Sequence, residues 1–125
     1  MAAWLWVGLG GALGSMLRYA IGLWLNQQGN GAFPLGTFAV NIVGSFLIAL
    51  VYGLAMQGQL HPNWRLFLTT GFCGGFTTFS TFSYENMQLL QSGAWGQFGL
   101  YTGLSVAFGL LAAAGGLALG TALAK

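Results

Sequence analysis

Charge is what this sequence lacks. In 125 residues it has one acidic side chain, Glu85, and three basic ones, Arg18, Arg65 and Lys125. Charged residues are 3% of the chain, against about 25% in a soluble globular domain. So few charges cannot furnish a water-facing surface, and the net charge of +2 is no basic patch for nucleic acid. Cys73 is the only cysteine, which excludes an intrachain disulfide and leaves the redox compartment open. With one histidine, His61, and one carboxylate, no His, Cys or carboxylate cluster is available, and no enzyme is expected. Met1 to Trp6 contains no Lys or Arg, and the apolar stretch that follows continues past Leu25. A signal peptide needs a basic start and a short apolar run, so this stretch is expected to stay as a membrane helix.

What is present is apolar and aromatic: 56% hydrophobic residues, with ten Phe, five Trp and four Tyr. A spanning helix needs ~20 mainly apolar residues, because the hydrocarbon core is ~30 Å thick. Four stretches meet this, at about 3–26, 36–56, 64–90 and 95–123. The expected fold is an all-α membrane protein, a single four-helix domain over 1–125. Trp4, Trp24, Trp64 and Trp95 fall near span ends, as interfacial belts require. The connections 27–34, 57–63 and 91–93 are short and rich in Gly, Gln, Asn or Pro. Arg65 and Lys125 fall on one side and Arg18 leans to the other. This bias is too small to fix orientation and leaves single and dual topology both open.

Glycine pairs at GxxxG spacing, Gly10/Gly14, Gly71/Gly75, Gly99/Gly103 and Gly116/Gly120, predict close helix packing. Four short spans enclose little interior, so a pathway is expected between subunits rather than within one.

The third span carries most of the chemistry. Gly74-Gly75 followed by Phe76-Thr77-Thr78-Phe79-Ser80-Thr81-Phe82-Ser83-Tyr84 is poor material for a continuous helix. A break at bilayer depth is tolerated only where the freed backbone is buried in protein or lines a cavity. Three rows follow at a spacing of three: Phe76, Phe79, Phe82; Thr77, Ser80, Ser83; and Thr78, Thr81, Tyr84. This places an aromatic row beside hydroxyl rows. Thr37, Asn41 and Ser45 form a polar stripe on the second span, and Tyr101, Ser105 and Gly109 repeat it on the fourth. Asn41 brings two donors, and phenyl edges are positive, so the set permits a small anion without identifying one. Arg18 either attracts anions at a vestibule or snorkels to the interface. Glu85 is read as a structural carboxylate near a pore mouth, His61 as a solvated loop residue and Cys73 as packing.

At these residues the sequence resembles the Fluc (CrcB) family of fluoride channels, over essentially the full chain. The resemblance rests on Gly10-Gly11-Ala12-Leu13-Gly14 with Arg18-Tyr19, on Gly36-Thr37 with Asn41 and Gly44-Ser45-Phe46, and above all on Thr70 to Phe82. It implies an antiparallel, dual-topology homodimer in the bacterial inner membrane, with two fluoride pathways along the subunit interface. The implied pore residues are Asn41, Phe79 and Phe82, with a polar track of Ser80, Thr81, Tyr101, Ser105 and Thr37. A structural sodium ion is implied on backbone carbonyls at Gly74 and Thr77. The implied role is passive fluoride efflux that relieves toxicity. A small multidrug transporter, the rival of similar size, needs a carboxylate in its first helix, where this chain has Arg18.

Overall fold

The structure is a computed structural model that describes residues 2–29, 33–58 and 60–124. Lys125 and parts of two connections lie outside the described residues. Among the described residues there are helices and turns and no strand. Helix α1 covers Ala3–Gln28, α2 Leu35–Ala55 and α6 Trp95–Leu123. The third rod is composite: α3 (Pro62–Leu66), a π-helical stretch Phe67–Cys73, α4 (Gly74–Phe76), an extended pair, then α5 (Phe79–Gln91). The expected break in the third span is therefore present, at Thr77–Thr78. Above it runs a π-helical stretch that the sequence did not announce; such stretches mostly occur as short bulges at functional sites.

Local chemistry sets the ends. His61 caps α3, its Nδ1 accepting from the Asn63 amide at 3.1 Å. Pro62 follows at the first turn, where its missing N–H leaves nothing unpaired. Gly58 and Gly93 turn the chain with φ of +71° and +78°, a region open to glycine at no steric cost.

Glycines decide which faces meet. A Cβ on Gly10 would strike the Phe67 carbonyl, and one on Gly14 the Phe72 carbonyl. From the other side, a Cβ on Gly71 would lie 2.8 Å from the Val7 carbonyl oxygen, and one on Gly75 2.6 Å from that of Gly11. Backbone thus lies on backbone between α1 and the upper half of the third rod. The same device joins α2 to α6, where Gly116 faces the Phe46 carbonyl and Gly120 that of Leu50. Gly99 and Gly103 behave differently: nothing lies within 4 Å of where their Cβ atoms would be. That pair packs against nothing among the described residues.

The exterior is apolar. Trp4, Trp24, Trp64 and Trp95 are all exposed, while the fully buried side chains include Thr69 and Tyr101. Helices α2 and α6 are each long and apolar enough to cross a membrane. At ~1.5 Å per residue, the 29 residues of α6 exceed the ~30 Å hydrocarbon core. Helix α1 has the length but carries Arg18, and the third rod has its length divided by the break.

Close backbone contact leaves no room for a side chain. Gly116→Val is expected to destabilise the fold by ~1–3 kcal/mol, the usual cost of overpacking. Gly8→Ala, which meets nothing within 4 Å, is expected to leave stability unchanged or slightly raised. Thermal unfolding of the purified protein in detergent measures both.

Candidate ion pathway

The helix stops because two residues leave helical geometry. Thr77 has φ −93° and ψ 161°, and Thr78 has φ −152° and ψ 118°, both extended. One side chain meets both backbone groups of Thr78: the Asn41 Nδ2 donates to its carbonyl at 3.1 Å, and its amide donates to the Asn41 Oδ1 at 2.8 Å. Thr78 then caps α5, its Oγ1 accepting from the Thr81 amide at 3.2 Å, the usual role of a threonine at a helix start. Upstream, the Thr77 Oγ1 donates to the Cys73 carbonyl at 2.9 Å, and the Arg18 Nε to the Gly75 carbonyl at 2.9 Å.

Around the break lies a groove of about 320 Å³ lined by Asn41, Gly44, Ser45, Phe79, Phe82 and Ser105. The Phe79 and Phe82 rings stand 5.8 Å apart and 37° tilted. Phe79 is 78% exposed on the single chain. The Ser105 Oγ is buried and has no hydrogen-bond partner among the described residues. A second cavity of about 220 Å³ brings Arg18, Thr37, Thr78, Thr81 and Glu85 together. A third, of about 630 Å³, lies at a mouth with Glu85, Gln88, Gln91 and Ser92. Thr78 belongs to the first two and Glu85 to the last two. Neighbouring cavities thus share a lining residue, Thr78 or Glu85.

The sequence pattern described as "CrcB-like protein, Camphor Resistance (CrcB)" matches residues 5–117. The chain belongs to the CrcB family. It is similar to a protein of Acidobacterium capsulatum, 48% identical over 118 residues that cover 94% of each chain. A protein of Thermus thermophilus is 50% identical over 120 residues, 96% of this chain and 94% of its own. One of Phocaeicola vulgatus is 49% identical over 111 residues, 89% and 92%. All three bear the name "Fluoride-specific ion channel FluC".

In this CrcB-family chain the residues expected at the site are sorted more finely than their types implied. Asn41, Phe79, Phe82 and Ser105 share the groove, and Arg18, Thr37 and Thr81 share the second cavity. Ser80 is exposed and lines none of the three. Phe76 leaves the aromatic row: it lies before the break, 2% exposed, stacked on Phe72 at 5.5 Å. Tyr101 is wholly buried, its ring 5.0 Å from that of Phe82.

Donor supply is also smaller than a count of hydroxyls suggests. A hydroxyl has one proton to give. The Tyr101 hydroxyl donates to the Glu85 Oε1 at 2.8 Å, and the Thr37 Oγ1 to the Oε2 at 3.0 Å. The Ser45 Oγ donates back to the Asn41 carbonyl at 2.7 Å. Among the described residues Asn41 keeps one of its two N–H groups uncommitted, since Nδ2 makes a single bond to them. Arg18 neither snorkels freely nor waits unbound; its Nε holds a carbonyl of the break.

Sequence reasoning gave Glu85 a general structural role without its partners. Its signal was present: a lone carboxylate in an apolar span is suspect by default. Removing the shared acceptor exposes its role. Glu85→Ala strands both hydroxyls, each worth ~1–3 kcal/mol when left unpaired. It is expected to lower the unfolding midpoint clearly more than Glu85→Gln, which retains one acceptor oxygen. Thermal melts of the two variants side by side decide it.

Proposed function

We propose that two copies of this chain form a fluoride-selective channel through which fluoride leaves the cytoplasm down its gradient. The observation that carries this reading is identity of 48% and 50% over nearly the whole chain with relatives named for fluoride-specific conduction. The function is passage, not catalysis.

The geometry agrees with an anion that must lose water. No charged residue lines the 320 Å³ groove, so nothing there traps an ion as a fixed cation would. The donors there without a partner among the described residues are one N–H of Asn41 and the Ser105 hydroxyl. Phe79 and Phe82 add ring edges, the positive part of the phenyl quadrupole. A small number of weak, spaced contacts suits conduction, which needs entry without retention. Arg18 stands in the neighbouring cavity as the cation of a vestibule.

The groove is open on the single chain, and Phe79 projects from it. A second copy laid antiparallel would close it and, by symmetry, make two pathways. The same arrangement suits a structural sodium ion. Gly74 is exposed on the single chain. The amides that a continuous helix would send to the Gly74 and Thr77 carbonyls, those of Thr78 and Thr81, are bound elsewhere. Two such oxygens per copy would suit a hard cation and supply positive charge between the subunits.

Fluoride efflux from liposomes is the direct test, with valinomycin carrying the potassium counter-flux and chloride run in parallel. Fluoride is expected to leave rapidly and chloride to stay. Equal release of both ions, or of neither from well-folded protein, would overturn the reading. A barrier raised by only ~1.4 kcal/mol slows passage tenfold. Asn41→Asp, which sets a carboxylate in the groove, is therefore expected to cut fluoride flux by at least about tenfold. The Phe79→Ile, Phe82→Ile double variant is expected to lose most flux while remaining folded. Undiminished efflux from it would remove the rings from the pathway.

A further inference from the structure

Five carbonyls at the break, those of Cys73, Gly74, Gly75, Thr77 and Thr78, fall into two classes. Three are engaged: Cys73 by the Thr77 amide at 3.0 Å and hydroxyl at 2.9 Å, Gly75 by Arg18, and Thr78 by Asn41. Gly74 and Thr77 have lost the donors that a helix would provide, and the loss has a specific cause in each case. The Thr78 amide, which would close on Gly74, goes to the Asn41 Oδ1 at 2.8 Å. The Thr81 amide, which would close on Thr77, goes to the Thr78 Oγ1 at 3.2 Å.

We propose that Asn41 and Thr78 are positioning residues for the cation: by capturing these two amides they hold the Gly74 and Thr77 carbonyls open for sodium. Without the two side-chain acceptors, the cheapest way to satisfy both amides at bilayer depth is to return them to the helix. Both carbonyls would then be consumed. Asn41 lines the groove with one face of its amide and frees a sodium ligand with the other. The pathway and the cation site thus share a residue, although sodium need not touch it. Thr78 adds a second hold that involves no groove donor, since its hydroxyl proton goes to the Thr81 Oγ1 at 3.1 Å.

This inference rests on the sodium site of the proposed function, and the experiment separates the two. The readout is the thermal unfolding midpoint of the purified full-length protein in detergent, in sodium chloride and in N-methylglucamine chloride. A ligand that binds only the folded state raises the midpoint, so the wild type is expected to melt higher in sodium. Thr78→Val and Asn41→Leu, which remove the acceptors, are expected to lose most of that shift. Thr78→Ser keeps the hydroxyl and is expected to restore it. Asn41→Asp keeps an oxygen for the Thr78 amide, so it should retain the sodium shift even though its fluoride flux is lost. That split separates the positioning role from the conducting one. If the wild type shows no sodium shift, the sodium reading itself fails. If the wild type shows the shift and folded Thr78→Val keeps all of it, the positioning role is refuted while the site stands. If Asn41→Asp loses the shift as fully as Asn41→Leu, the Oδ1 is not the holding group. Should Asn41→Leu fail to fold, Thr78→Val against Thr78→Ser still decides the matter.

Discussion

One side chain on α2 makes the rest of this architecture possible. A backbone inside a bilayer cannot leave its amides and carbonyls to water, yet this chain abandons helical geometry at Thr77–Thr78. Asn41 removes the penalty by acting at once as donor and acceptor to a single residue, Thr78. The bonds are local in space and distant in sequence, so the break forms only when α2 is seated against the third rod. Gly44, one helical turn further, has no Cβ to push Thr77 away; a Cβ there would strike its methyl group. The polar group that stabilises the break and the small residue that admits it therefore lie on one helix face.

The remaining stability comes from proximity. Lipid tails are as apolar as leucine, so burying leucine against leucine gains little inside a membrane. What is gained must come from dispersion and weak contacts at short range. This explains why bulky residues such as Leu110 and Leu123 face outwards while Gly10, Gly14, Gly116 and Gly120 occupy the contacts. The tight α1 seam also fixes the break from a second side, because it brings the Arg18 guanidinium onto the Gly75 carbonyl. A basic residue in the first span is thereby part of the third span's geometry.

Much of this was legible in the sequence, and the illegible part has a common origin. Apolar runs of spanning length and the Gly-Gly-Phe-Thr-Thr signature located the rods and the break, because both follow from local composition. Helical periodicity also placed Phe76 in one row with Phe79 and Phe82, which is wrong once the helix ends between them. The GxxxG spacing of Gly99 and Gly103 matches that of the packed pairs, yet no described residue outside their own helix lies within 4 Å of where their Cβ atoms would be; spacing cannot say whether a partner face exists. Residue types suggested a rich set of hydroxyl donors. Only the partners, Glu85 for Thr37 and Tyr101 and the Asn41 carbonyl for Ser45, reveal that most protons are already committed. The Ser45 bond is local, one turn back along α2, but the two Glu85 pairings join residues 48 and 16 positions apart, beyond the reach of any local pattern.

The commitment of those protons bears on how an anion can be passed without being held. Under the proposed function a carboxylate such as Glu85 near the pathway looks self-defeating, since like charges repel strongly where water is scarce. Its two oxygens take the Thr37 and Tyr101 hydroxyl protons, and Arg18 lines the same cavity. The carboxylate's charge is thus partly answered within the cavity it shares with Arg18. Beyond Thr78 the groove has no charged lining at all. Its donors without a partner among the described residues are one amide proton of Asn41 and the Ser105 hydroxyl, beside the rings of Phe79 and Phe82. Under the proposed function, selection rests on whether the ion's lost water is replaced by a few donors at fixed positions. Those positions are set by the same Asn41–Thr78 clamp that breaks the helix.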